Sequence, residues 1–328
     1  ERLAMFCNVD ADQVINNPDE TSAYAVPKTF EEQEFAQKVL KLLDLPNRRA
    51  FLDDWEGLVA RINRSKPRIL EIGIVGKYFA TGDYELRDSY AALLDALDHA
   101  GWQHGVSIKT RWINSERIEK GEKAAELLDG IAGVIVPIGW GPRGVEGMIT
   151  AIKHARENKI PYLGLCYGMQ LAVVEFARHV ASIKNANSIE CDAETSEPVI
   201  HLIPSQKDQM QRRAYGGTMR LGNWDCKVKE NTISFDAYKN AKSFITDHIV
   251  GERHRHRYEF NNDYTQQLES KGLIFAGRSV IENLIEIVEL PKTMHPFFLG
   301  TQFHPEYKSR PLSPHPLVLA YIKACLNN

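Results

Sequence analysis

The segment Pro161-Tyr-Leu-Gly-Leu-Cys166-Tyr-Gly-Met-Gln170 runs from an apolar strand straight into a helix, with Gly164 and Gly168 two residues to either side of Cys166. Small neighbours permit a tight strand-to-helix turn, which lifts a side chain above a sheet and sets it at a helix N-terminus. There the partial positive charge of the helix favours thiolate, and free N–H groups face any oxyanion that develops. A lone cysteine in a β–α turn is more often an inert buried residue, so a nucleophile requires partners elsewhere in the chain.

Outward from this turn, short apolar runs alternate with helical periodicity. Strands are expected at Glu71–Val75, Val106–Ile113, Gly133–Ile138 and Tyr162–Leu165, and helices near Ser89–Ala100, Ile118–Leu128, Val145–Asn158 and Gly168–Val180. This alternation predicts an α/β fold with a mainly parallel central sheet and flanking helices, whose chemistry lies at the carboxyl ends of strands, just after Ile138 and Leu165. From Pro198 the pattern changes to short strands and turns, including Gly216-Gly217. Strands near Leu273–Gly277, Leu284–Leu290 and Phe297–Gln302 and a last helix over Pro314–Leu326 follow.

The partner for Cys166 stands in Gly300-Thr-Gln-Phe-His304-Pro-Glu306, an apolar strand ending in a histidine with a carboxylate two residues on. His304 has the ordinary pKa of a group that takes a thiol proton and returns it to a leaving amine near neutral pH. Glu306 would orient the imidazole and stabilise its cation, completing a nucleophile, base and orienter set. Both motifs end predicted strands of one sheet, where residues distant in sequence converge.

The elbow G-x-C-x-G-x-Q with a late H-P-E resembles the class I glutamine amidotransferases. Further segments resemble the CTP synthase family: Gly73-Ile-Val-Gly-Lys-Tyr78, Arg143-Gly-Val-Glu-Gly-Met148, Asn185-Ala-Asn-Ser188, Gly216-Gly-Thr-Met-Arg-Leu-Gly222, Glu252-Arg-His-Arg-His-Arg-Tyr-Glu259 and Phe303-His-Pro-Glu-Tyr-Lys-Ser-Arg-Pro311. The resemblance implies a glutaminase that releases ammonia from L-glutamine through Cys166, His304 and Glu306. The ammonia would serve ATP-dependent amination of UTP to CTP. It further implies oxyanion donors at Ile138 and Tyr167, and glutamine contacts at Gly139, at the backbone of Tyr167, Gly168, Met169 and Gln170, and at Glu190 and Arg257. A carboxylate suits the α-ammonium of glutamine, and a guanidinium fork suits its α-carboxylate. Arg257 lies in a charge-dense run whose alternation also reads as a solvent-facing strand edge.

One residue departs from the family pattern. Ile138 stands where a glycine is usual, and a β-branched residue tolerates positive φ badly. Losing one oxyanion donor costs about a hundred- to a thousandfold in rate, so a weakened amidotransferase with an assembly role is one alternative, and a stand-alone γ-glutamyl hydrolase another.

Residues 1–56 hold too little for a domain: an apolar strand at Leu3-Ala-Met-Phe-Cys-Asn-Val9, a loop at Asn17-Pro18-Asp19-Glu20 and a helix near Glu31–Leu43. The resemblance implies that they are the tail of a P-loop-like synthetase domain, with 57–68 as linker and 69–328 as the amidotransferase domain. It places Arg2 near a UTP site and Asp19 near an ATP site, with ATP and Mg2+ as cofactors of that synthetase domain and none in the glutaminase domain. No G-x-x-x-x-G-K-[ST] occurs in the sequence, so this chain alone is expected to show glutaminase chemistry only. A homotetramer and activation by GTP, with Gly216–Leu221 as a lid near that effector, are further implications of the family.

Composition sets the remaining bounds. A formal charge of −3 over 328 residues gives no basis for a nucleic-acid or acidic-membrane surface. Five scattered cysteines without C-x-x-C spacing suggest neither disulfides nor structural zinc, which fits a reducing, cytoplasmic setting. No apolar run approaches the roughly 18 residues of a membrane span.

Overall fold

A computed structural model describes residues 1–48, 51–64, 66–77, 80–81, 84–85, 87–203 and 219–328. The chain divides into two units, Glu1–Lys66 and Pro67–Asn328.

The first unit is helical: α1 (Arg2–Cys7), α2 (Val26–Glu32), α3 (Phe35–Leu42) and α4 (Asp53–Asn63). The expected strand over Leu3–Val9 is therefore a helix. Its residues Leu3, Ala4, Met5 and Phe6 are not β-branched, and Asn8 at φ 53 closes it in the left-handed region, the chain then turning at Val9. The helix expected over Glu31–Leu43 is two, because the backbone breaks at Glu34, φ 55. Trp55 on α4 donates to the Tyr24 carbonyl at 2.6 Å and packs beside that ring. Residues 57–63, expected in a linker, thus belong to a helix tied into the first unit.

The second unit contains, in order, β1 (Ile69–Gly76), β2 (Ala80–Thr81), β3 (Tyr84–Glu85), α5 (Ala91–His104), β4 (Ser107–Asn114), α6 (Ser115–Glu119), α7 (Ala124–Leu127), β5 (Gly133–Val136), α8 (Val145–Glu157), β6 (Tyr162–Leu165) and α9 (Tyr167–His179). After them come β7 (Ala186–Ser188), β8 (Glu197–Leu202), β9 (Arg220–Val228), α10 (Ile233–Asn240), β10 (Ile249–His256), β11 (Tyr258–Phe260), α11 (Thr265–Glu269), β12 (Ile274–Ser279), β13 (Ile285–Glu289), β14 (Phe298–Thr301) and α12 (Pro316–Leu326). The single helix expected over Ile118–Leu128 is α6 and α7, separated by a turn at Gly121, whose φ of 104 few other residues adopt.

Nine strands form the main sheet in the order β10-β9-β12-β13-β14-β6-β5-β1-β4. From β4 to β14 every pair is parallel, and from β14 to β10 every pair is antiparallel. A small sheet, β11-β8-β7, stands apart from it. Alternation on the inner strands feeds two core layers. Val134 and Val136 of β5 and Tyr162 of β6 pack with Met148 and Ile152 of α8 and Val173 and Phe176 of α9. Ile135 and Leu163 point the other way, toward Leu97 of α5, Tyr238 of α10 and Tyr321 of α12. Each such side chain contributes about 1.5–3 kcal/mol by leaving water. Strands buried on both faces have no polar side to display, which is why β5 and β6 read as continuous apolar runs.

Candidate active site

Cys166 sits between the last residue of β6 and the first of α9, at φ 53 and ψ −96, and is 5% exposed. Its N–H donates to the Thr301 carbonyl of β14 at 2.6 Å, while its carbonyl accepts from Gln170 N at 3.2 Å. A non-glycine residue held there costs of the order of 1–3 kcal/mol, sustained by the packing around it. The flanking glycines allow the approach. A Cβ on Gly168 would lie 2.0 Å from the Val136 carbonyl oxygen, and one on Gly164 would lie 2.7 Å from the Gly168 backbone.

Strand β14 runs parallel beside β6, so the turn that follows it arrives next to the elbow. His304 there is fully buried and its Nδ1 lies 2.7 Å from Glu306 Oε1. The backbone N–H of His304 donates to the Arg253 carbonyl at 2.8 Å, and the Tyr307 ring stacks on the imidazole at 4.8 Å. Burial by itself would push the imidazole down, but the Glu306 charge and the neighbouring Cys166 outweigh it and hold His304 well above its ordinary value. The imidazolium is therefore the favoured form beside the sulfur, which is the arrangement a thiolate–imidazolium pair requires.

A cleft of about 100 Å³ opens over the sulfur, lined by Gly139, Tyr167, Gln170, Glu190, Arg257 and Tyr258 among others. Gly168 and Met169, expected to contact the substrate through their backbone, lie in the first turn of α9: a Cβ on Gly168 would meet the Val136 carbonyl, and the Met169 side chain is buried in the core beneath Gly300. Ile138 is half-buried and is not among the residues with positive φ, so its β-branch meets no backbone penalty. Its carbonyl accepts from Tyr90 Oη at 3.1 Å. Arg2 and Asp19 are both exposed and lie in the first unit. Of the expected lid, Gly216, Gly217 and Thr218 fall outside the described residues, while Arg220 and Leu221 open β9.

Several groups escaped sequence reading because nothing local marks them. The loop after Ile138 is fastened at Gly141: its carbonyl accepts from Lys77 Nζ and from Tyr167 Oη, each at 2.7 Å, and its N–H donates to Glu190 Oε1 at 3.1 Å. Burial lowers the pKa of Lys77 and raises that of Glu190. Gly141 N, Lys77 and Arg257 counteract the rise at Glu190, favouring its carboxylate. Gln302, one residue past β14, donates from Nε2 to Cys166 Sγ at 3.5 Å. The only signal for it was its place in the motif before His304.

Among the described residues, His254, His256 and Glu286 bring potential metal-ligating atoms within 4.8 Å of one another. These groups are partly engaged, with His254 Nε2 and Glu286 Oε2 left without a hydrogen-bond partner among the described residues. His254 Nδ1 and His256 Nε2 share a hydrogen bond at 3.0 Å, and Arg220 hydrogen-bonds the Glu286 carboxylate. Burial, with help from Arg220, lowers His256 to about 3, and burial raises Glu286 to about 7. Two neutral imidazoles sharing one proton explain the short contact without an ion.

Cys166, His304 and Glu306 meet on this sheet in the order a nucleophile, base and orienter would need. A family model for glutamine amidotransferase class-I matches residues 85–324, and one for the CTP synthase N-terminus matches residues 1–45. The chain belongs to the class I glutamine amidotransferase family. Within that class its similarity narrows to CTP synthases. It is 49% identical to the CTP synthase of Caldanaerobacter subterraneus subsp. tengcongensis, over 100% of this chain and 57% of that protein. It is 47% identical to the CTP synthase of Desulfitobacterium hafniense, over 100% of this chain and 58% of that one. The chain thus spans little more than half the length of these relatives. The solved glutaminase domain of Trypanosoma brucei CTPS with bound acivicin is 33% identical, with a TM-score of 0.70 over 79% of this chain and 94% of that one.

Proposed function

We propose that residues 67–328 hydrolyse L-glutamine to glutamate and ammonia through Cys166, His304 and Glu306. The observation that carries this reading is the buried His304–Glu306 contact of 2.7 Å beside a cysteine held at φ 53 on a strand-to-helix elbow. The thiolate attacks the carboxamide carbon, forming a C–S bond and a tetrahedral oxyanion that the N–H groups of Ile138 and Tyr167 face. His304 gives its proton to the nitrogen, the C–N bond breaks and ammonia leaves. Water, deprotonated by His304, then cleaves the thioester and releases glutamate. Glu190 and Arg257, on the walls of the cleft, take the α-ammonium and α-carboxylate of the substrate.

By similarity to the CTP synthases, the ammonia serves ATP- and Mg2+-dependent amination of UTP in a cytoplasmic homotetramer activated by GTP. Nucleotide phosphates need a cradle of backbone N–H groups with a lysine. The unit Glu1–Lys66 offers one glycine, Gly57, within helix α4, and exposed Arg2 and Asp19, which do not fit that requirement. No step assigned to this chain runs through ATP or Mg2+. No helix among the described residues is long and apolar enough to cross a membrane. The ordinary backbone at Ile138 supports an intact site over a weakened one.

Glutamine-dependent ammonia release by the wild-type chain and by Cys166→Ala tests the proposal. Turnover confined to the wild type is expected; turnover by the alanine variant above a protein-free control excludes Cys166 as nucleophile.

A further inference from the structure

Besides His304 and the Arg255 carbonyl, which accepts from Sγ at 4.0 Å, the Cys166 sulfur has a further polar neighbour in Gln302, and a chain of side-chain amides determines how it faces the sulfur. Gln170 Nε2 donates to the Tyr258 carbonyl at 3.0 Å and to Gln302 Oε1 at 3.1 Å, and Gln302 Nε2 lies 3.5 Å from Cys166 Sγ. Gln302 is 0% and Gln170 3% exposed, so bulk water does not substitute for these partners.

Each link orients the next. A backbone carbonyl only accepts, so the Gln170 atom facing Tyr258 is the nitrogen. Its second hydrogen needs an acceptor, which makes the Gln302 atom facing it the oxygen. The Gln302 NH2 is then the end that meets sulfur. Reversing either amide would set donor against donor or oxygen against oxygen in a buried place, at a cost of about 1–3 kcal/mol for each group left unsatisfied. An N–H aimed at sulfur favours the anion over the neutral thiol, because a hydrogen bond to the charged form lowers its free energy selectively.

We infer that Gln302 is a catalytic residue of this site, a hydrogen-bond donor that stabilises the Cys166 thiolate and is held in its orientation by Gln170 from the wall of the glutamine cleft. This deepens the glutaminase reading and rests on it. In the proposed cycle the bond is strongest when sulfur is anionic, before attack and again when the thioester breaks. It weakens while sulfur is acylated and neutral. Because Gln170 lines the cleft, an occupant that draws on its amide also changes the hold on Gln302, which links substrate binding to the state of the sulfur.

The charged and titratable groups around the sulfur are His304 with Glu306 from the turn after β14, Arg255 and His256 of β10, Arg257 beyond it, and Glu190 across the cleft. All are retained when Gln302 alone is changed.

The test is the pH profile of Cys166 alkylation by iodoacetamide, with the reaction of Cys166→Ala subtracted to remove Cys7 and the half-buried Cys191. Gln302→Met keeps an unbranched side chain and deletes the donor. Its midpoint is expected to rise by about one unit, which slows alkylation about tenfold at any pH below both midpoints. Gln302→Glu places an acid there that repels the thiolate once ionised, so its midpoint should rise further, and in both variants kcat for glutamine should fall more than KM rises. Unchanged midpoints in both variants overturn the inference. Nuclear magnetic resonance of the wild type gives a measurement independent of variant folding. The Gln302 side-chain amide proton should move downfield as Cys166 ionises and lose that dependence after alkylation; a resonance indifferent to the cysteine overturns the inference equally. Alkylation needs no glutamine, so a shifted profile without ammonia release counts against the glutaminase reading, and an unshifted profile in an enzyme that hydrolyses glutamine counts against Gln302 alone.

Discussion

The elbow between β6 and α9 and the corner between β10 and β11 both deliver side chains to the same cleft, yet they are built on opposite principles. At the elbow the chain stays within the parallel half of the sheet, and its position follows from strand order: β6 lies beside β14, so whatever follows each strand meets. At the corner the chain leaves the main sheet after His256 and joins the small one at Tyr258, leaving Arg257 between them. The corner is held by His256 Nδ1 on the Tyr258 carbonyl at 2.9 Å and by Ile203 N on the Arg257 carbonyl at 3.0 Å. Strand β10 is indeed an edge of the main sheet, with Arg253 and Arg255 exposed, but His254 and His256, which alternate with them, are buried. On the proposed function, the elbow would govern bond-making and the corner what is held in place for it.

The most severe way to break that division is at the elbow's partner. His304→Ala should lower kcat for ammonia release on the order of ten-thousandfold or more, with little change in the affinity for glutamine. A loss confined to KM would place His304 on the binding side instead. At the corner, Arg257→Ala should raise KM roughly ten- to a hundredfold by removing one charge-assisted contact, while alkylation of Cys166 continues at the wild-type rate. Slower alkylation in that variant would show that the corner also shapes the sulfur.

The third comparison concerns the oxyanion loop. Ile138 already has an ordinary backbone conformation, so Ile138→Gly relieves nothing and adds flexibility. Steady-state kinetics should show an unchanged or slightly lower kcat; a clear increase would mean that the loop turns to positive φ during the reaction. The smallest effect is a linkage. His304 is raised in the folded protein, so the stability it contributes is fully present below its unfolded value and is lost as pH rises through the folded one. Glu306→Gln, which removes the charge opposing burial, should depress the thermal midpoint by a few degrees more at about pH 6 than at about pH 10. An equal depression at both pH values would assign Glu306 a packing role only.

Local sequence was enough for the parallel half of the sheet. Apolar runs such as Gly133–Val136 and Tyr162–Leu165 announce strands buried on both faces, and the glycines around Cys166 announce a backbone that comes within 2.0 Å of where a Cβ would stand. Elsewhere propensity misled. Leu3–Val9 is apolar like a buried strand but is mostly unbranched, and it forms a helix; Glu31–Leu43 has helical periodicity but bends at Glu34.

Two facts belonged to the sequence alone: that Cys166 stands on a tight strand-to-helix turn flanked by glycines, and that a histidine and a carboxylate follow another apolar strand. Both depend on interactions between near neighbours in the chain, which periodicity and residue type report. Only the tertiary structure decided that Lys77, Tyr167 and Glu190 fasten Gly141, that Met169 turns into the core, and that Gln302 reaches the sulfur through an amide oriented by Gln170. Those contacts join residues from 26 to 136 positions apart. Whether a buried amide presents its nitrogen or its oxygen is set by the acceptor it meets, and that partner exists only once the strands have been brought side by side.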